Sequence, residues 1–171
     1  MSMIANYIMI DKSELDKMKN MDNDELFDYI EELSEDSNVY DMDKLWDGVH
    51  SLITGTCASD PIKGNKYSEA VIGVKCFIDA EDCDWIAYSE IEYVKEMVHL
   101  LKCIDYEKLH TKFKIEDFIS NEIYPNIWSP ALKDLKYKES LYNEIISEIK
   151  GLLEFYESAI GKEKNIVVSI Y

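Results

Sequence analysis

The chain has 171 residues, of which 47% are apolar, and sets 35 acidic against 18 basic side chains for a formal net charge of −17. Every basic residue is lysine. Without a guanidinium fork there is no bidentate grip on phosphate or guanine, and the negative field repels polyanions, so nucleic acid is not expected as a partner.

Residues 3–10 (MIANYIMI) are apolar on both alternating faces apart from Asn6, the pattern of an inner strand. Ser13 opens a short helix, and Asn23 or Asp24 another that runs to Leu33 with Leu26, Phe27 and Ile30 inward. Residues 34–38 are a polar connection. Asp41 or Asp43 is placed to cap the next helix, whose apolar positions Leu45, Val49, Leu52 and Ile53 form one face and which Gly55 ends. Residues 56–68 carry Pro61 and Gly64 and read as a loop, long enough to suggest a functional role. Residues 70–78 (AVIGVKCFI) read as a second strand, 80–84 as an acidic loop and 85–88 as a short third strand.

Ser89 and Glu92 have capping-box spacing ahead of a helix that turns Ile91, Val94, Val98 and Leu101 inward. Asp105 caps a short helix bearing Leu109, residues 114–122 form another, and 126–130 are a break. Residues 137–160 form the longest helix, with Leu141, Ile145, Ile149, Leu152, Leu153, Tyr156 and Ile160 on one side and Gly161 ending it, and 166–171 (IVVSIY) form the last strand. The implied fold class is α+β: a single compact domain over 1–171, with a small mixed sheet that includes the N- and C-terminal strands and packs with about six helices. No apolar run nears the roughly 18 residues of a membrane span. No basic residue precedes Lys12, so a signal peptide is not expected either. A cytoplasmic location without a membrane partner follows. There Cys57, Cys76, Cys83 and Cys103, which form no CxxC pair, are reduced thiols and not a zinc site.

On the helix that begins near Leu45, the residues Asp43, Trp46, Asp47 and His50 share one strip beside the buried face. In a functional reading this strip walls a pocket. His50 is the proton carrier, Asp47 raises or orients it, and Trp46, Thr54, Thr56 and Asp60 contact the ligand. In a structural reading Trp46 is core, Asp47 is a solvated helix acid and His50 is hydrogen-bonded at the core edge. Cys57 is a thiol near His50 in sequence. His99 and His110 have no partner at helical metal spacing. The acids of 79–84 lack the EF-hand pattern, and Ser147 with Lys150 matches an SxxK spacing on the outer face of the long helix. No GxSxG elbow and no glycine-rich phosphate loop occurs. Among the tryptophans, Trp128, in the 126–130 break, is the first candidate for partial exposure, with ordinary packing the default for all three.

Several landmarks in order resemble the YfbM-like family of small bacterial proteins. They are Met1-Ser2-Met3-Ile4 with Ile10-Asp11; Asp43-Lys44, Trp46-Asp47 and His50; Leu52-Ile53-Thr54-Gly55-Thr56; Asp60-Pro61; Ala70-Val71 with Gly73; and Ile123-Tyr124-Pro125. The resemblance spans nearly the whole chain and implies an uncharacterised domain. It brings no catalytic residues, cofactor or metal. The charge and the lack of a catalytic constellation favour an acidic binding or inhibitory module that meets a basic protein partner. The alternative is a small-molecule-binding protein or hydrolase-type enzyme with a pocket around Trp46, Asp47 and His50. The oligomeric state is not fixed by the sequence.

Overall fold

The alternating and continuous apolar runs at the two ends of the chain become neighbours in one sheet. The computed structural model describes residues 3–34, 38–78, 85–126, 128 and 135–171. Strands β1 (Ala5–Ile10) and β5 (Asn165–Ile170) pair antiparallel, Ala5 opposite Ile170 and Ile10 opposite Asn165. Strand β2 (Val39–Asp43) flanks β1, and β4 (Trp85–Ser89) flanks β5 with the two-residue β3 (Lys75–Cys76) outside it, giving the order β2-β1-β5-β4-β3. Every described pairing is antiparallel, where a mixed sheet was expected.

All six residues of β1 and of β5 are buried because helices cover both faces of the sheet. On one face, α1 (Lys12–Met18) and α2 (Asn23–Ser34) place Leu15, Met18, Leu26 and Ile30 against Ile8, Ile10, Ile86 and Val167. The larger core lies on the other face, between Tyr7, Val168 and Ile170 and the remaining helices. These are α3 (Trp46–Thr54), α4 (Lys66–Ile72), α5 (Ile91–Lys102), the short α6 (Tyr106–Lys112) and α7 (Ile115–Ser120), and the long α8 (Leu135–Gly161). Helix α8 contributes Leu141, Ile145, Ile149, Leu152 and Tyr156, the stripe its periodicity predicts. The fold is thus α+β, with eight described helices where about six were expected. No helix among the described residues is long and apolar enough to cross a membrane.

Three local expectations are corrected. Residues 39–43 extend along the edge of β1, so Asp41 and Asp43 are strand residues and not helix caps; the Asp41 carboxylate instead accepts the Asp43 amide at 2.7 Å. Helix α3 begins after Leu45 without a side-chain cap. The apolar run at 70–78 is split between helix and strand. Asn65 caps α4 by accepting the Tyr67 and Ser68 amides at 2.9 and 3.3 Å, and Gly73 (φ +83°) ends it, after which Val74 and Phe77 bond to β4. Gly73 is required there, since a Cβ would sit 2.7 Å from that of Ala87. Finally, Ser89 does not cap α5; Glu90 occupies that position and Asn165 accepts the Ile91 amide at 3.0 Å.

Candidate functional site

Helix α3 is short and faces the core on nearly all sides, with every residue from Trp46 to Leu52 buried. Its polar side chains must therefore find partners inside the protein. His50 is 0% exposed. Its Nδ1 lies 2.9 Å from the Thr56 carbonyl oxygen and its Nε2 2.8 Å from Ser68 Oγ. A carbonyl can only accept, so Nδ1 carries the proton and Nε2 accepts from the Ser68 hydroxyl. Ser68 Oγ in turn accepts the Ile62 amide at 3.2 Å. Burial holds the imidazole below its ordinary pKa, against the opposing pull of the Thr56 carbonyl and the Asp47 charge, so His50 is neutral near pH 7.

Asp47, 2% exposed, is a clasp. Its Oδ1 accepts the Ala58 amide at 2.7 Å, and its Oδ2 accepts the Tyr124 amide at 2.8 Å and the Cys57 thiol at 3.4 Å. One carboxylate thereby ties α3 to both the 56–65 loop and the segment after α7. Trp46 is buried, stacks on Tyr124 with ring centroids 5.6 Å apart, and points its indole N–H at the Met3 carbonyl. Thr54 is half-buried and donates to the His50 carbonyl at 2.7 Å. Thr56 is half-buried, and Asp60 lies on the exposed part of the loop.

The structure joins Trp46, Asp47, His50, Thr54 and Thr56 in one cluster, but not around an open pocket. Neither of two described clefts is lined by Trp46, Asp47 or His50. A cleft of about 400 Å³ opens on the far side of the loop, walled by Ile62, Lys63, Ser68, Ile72, Val74 and Trp85. A second, of about 200 Å³, takes in Thr54 with Lys112, Asp117 and Asn121. The solvent-open arrangement expected for a catalytic His50 is therefore corrected: backbone amides and carbonyls of the loop needed satisfaction inside the fold, and Asp47 and His50 supply it.

The other candidates separate. The hydrogen-bond neighbours of Cys57 are Asp47 and Ser59, not the imidazole of His50. His110 is exposed and meets Glu139 at 3.0 Å. Trp128 takes the default of ordinary packing at 3% exposed; its indole N–H donates to the Ile123 carbonyl at 2.6 Å and its ring meets Phe118 edge-on. The 79–84 acidic cluster and Cys83 lie outside the described residues. Among the described residues no group of three or more His, Cys, Asp or Glu side chains is placed to hold a metal ion. Two features escaped the sequence. Ser68 forms no motif with His50, eighteen positions earlier. And α2, with Leu26 and Ile30 turned inward, exposes Asp24, Glu25, Asp28, Glu31 and Glu32 together and contains no lysine.

Comparison with known proteins gives the relationship. The profile of a family described as a domain of unknown function, DUF1877, matches residues 1–169. The chain belongs to this family. Protein YfbM of Escherichia coli (strain K12) is 28% identical over 171 residues, covering 99% of each chain. The crystal structure of YfbM from Escherichia coli, described as a protein of unknown function, superposes with a TM-score of 0.81 at 23% identity, over 98% of this chain and 99% of that one. That likeness supports the same fold for both proteins and assigns neither an activity.

Proposed function

We propose that the protein is an acidic binding or inhibitory module that docks a basic protein partner in the cytoplasm. The observation that carries this reading is the outward face of α2. There five carboxylates (Asp24, Glu25, Asp28, Glu31 and Glu32) stand exposed on one helix that has no lysine of its own. Elsewhere several lysines are paired with nearby acids, as in Lys66 with Glu69 and Glu96, or Lys102 with Glu157. A net charge of −17 surrounds this face with a field that speeds encounter with a cationic surface and rejects anionic ones.

The test is a pull-down from the lysate of the source organism at low and at high salt, with the protein and a variant carrying Asp24→Asn, Asp28→Asn, Glu31→Gln and Glu32→Gln. A basic partner held at low salt, released at high salt and lost by the variant supports the reading. Absence of any partner under both conditions overturns it.

A further inference from the structure

The pairing of Ser68 with His50 has the geometry of an activated hydroxyl. Three groups stand in a row: the Thr56 carbonyl fixes the proton on His50 Nδ1 at 2.9 Å, leaving Nε2 as a base 2.8 Å from Ser68 Oγ. A nucleophile within hydrogen-bond reach of a base that a third group orients is the arrangement of serine acyl transfer, with a carbonyl here in the place of the usual carboxylate. Asp47 is the charged group that acts on the imidazole, and its oxygens are committed to the Ala58 and Tyr124 amides. Ser68, itself without exposed surface, lies directly behind the wall of the cleft of about 400 Å³, where Lys63 and Glu69 stand beside the apolar surfaces of Ile62, Ile72, Val74 and Trp85. The Trp85 indole is fixed there by its 2.7 Å bond to the Ile72 carbonyl.

From this juxtaposition we infer that Ser68 is a reactive serine that accepts the acyl group of a small carboxylic ester whose apolar acyl chain lies in the adjoining cleft. Ser68 Oγ bonds to the ester carbonyl carbon while its proton passes to His50 Nε2. The carbon–oxygen bond to the leaving alcohol then breaks, and the same proton goes to the departing alkoxide. Water, deprotonated by His50, later releases the carboxylic acid and restores the hydroxyl. Ser68 has no exposed surface in this arrangement. Access requires the turn at Ile62 to lift, and that turn is tied down by the 3.2 Å bond from the Ile62 amide to Ser68 Oγ. Ile62 itself is 36% exposed. The α2 face lies across the sheet, so this site and the acidic docking surface are tested separately.

The experiment treats the full chain with a butyl fluorophosphonate, which bonds to a serine Oγ through phosphorus and expels fluoride, and maps the adduct by peptide mass. The expected result is a single adduct on Ser68. Its rate should fall by about 100-fold or more in His50→Gln and rise in Ile62→Gly. In the unaltered protein the rate should climb with pH through the titration of His50 and then level off. Ser68→Ala gives no adduct. The pH profile carries the test if His50→Gln does not fold. No adduct on Ser68 in either the unaltered protein or Ile62→Gly overturns the inference. So does a rate indifferent to both pH and His50, or labelling confined to another serine.

Discussion

Replacing Asp47 with alanine should be among the most damaging single changes on α3. The carboxylate accepts two backbone amides, from Ala58 at 2.7 Å and Tyr124 at 2.8 Å, and one thiol. Ala58 is buried and Tyr124 half-buried. A buried donor left without an acceptor costs about 1–3 kcal/mol, and bonds to a charged acceptor sit at the upper end. Taking the Ala58 amide near the full penalty and the Tyr124 amide, which water can partly reach, near half of it gives a loss of about 3–4 kcal/mol. Asp47→Asn keeps one acceptor oxygen and should lose about 1–2 kcal/mol. The assay is urea unfolding followed by tryptophan fluorescence, with linear extrapolation and a check that the slope is unchanged. Since natural domains retain only about 5–15 kcal/mol, the alanine variant should unfold at markedly lower urea. A loss under about 1 kcal/mol for Asp47→Ala, or asparagine as harmful as alanine, would refute the clasp.

Other consequences follow from the same geometry. Burial holds the folded-state pKa of His50 below its unfolded value of about 6.5. The unfolded chain therefore binds the extra proton first, and the contribution of His50 is complete above about pH 6.5 and lost as pH falls from there through the folded pKa. The urea midpoint should drop across that window more steeply in the unaltered protein than in His50→Gln; a parallel fall in both contradicts the assignment. Gly73→Ala should cost about 2–4 kcal/mol, because φ is +83° and the new methyl would meet Ala87, and thermal unfolding reads it directly. Trp128→Ala should cost about 3–5 kcal/mol by emptying the space between Phe118 and Gly48, where a surface tryptophan would have cost little.

The elements with sustained periodicity were legible in the sequence. The stripe of α8, the apolar runs of β1 and β5, and the Leu26–Ile30 face of α2 all lie where their spacing put them. What could not be read depends on contacts made by distant residues. Residues 39–43 look like a capped helix start, yet the open edge of β1 offers a ladder of hydrogen bonds that outweighs one cap. The 70–78 run is apolar enough for a strand or a buried helix, and the choice rests on the Asn65 cap and on the clash that any residue but glycine would meet at 73. At the site, sequence spacing put Asp43, Trp46, Asp47 and His50 on one strip; Asp43 lies in β2 instead, and the other three are buried residues of α3. Spacing could not reveal that the 56–65 loop folds back over that strip, because the partners there are backbone atoms of Thr56 and Ala58 and the hydroxyl of Ser68. The acidic face of α2 was not read, since its extent depends on which side of the helix meets the sheet.

The docking role stands or falls on whether the α2 carboxylates, and not merely a high negative charge, select the partner. The decisive measurement is the affinity of the captured partner as a function of ionic strength for three proteins. These are the unaltered chain, the α2 variant with Asp24, Asp28, Glu31 and Glu32 neutralised, and a control with the exposed Glu107, Glu116, Glu122 and Glu163 each changed to glutamine. Both variants remove the same number of charges. If the α2 face is the docking surface, only the α2 variant loses affinity and salt dependence, while the control stays within about threefold of the unaltered protein. Equal losses in both variants, or none in either, would contradict it.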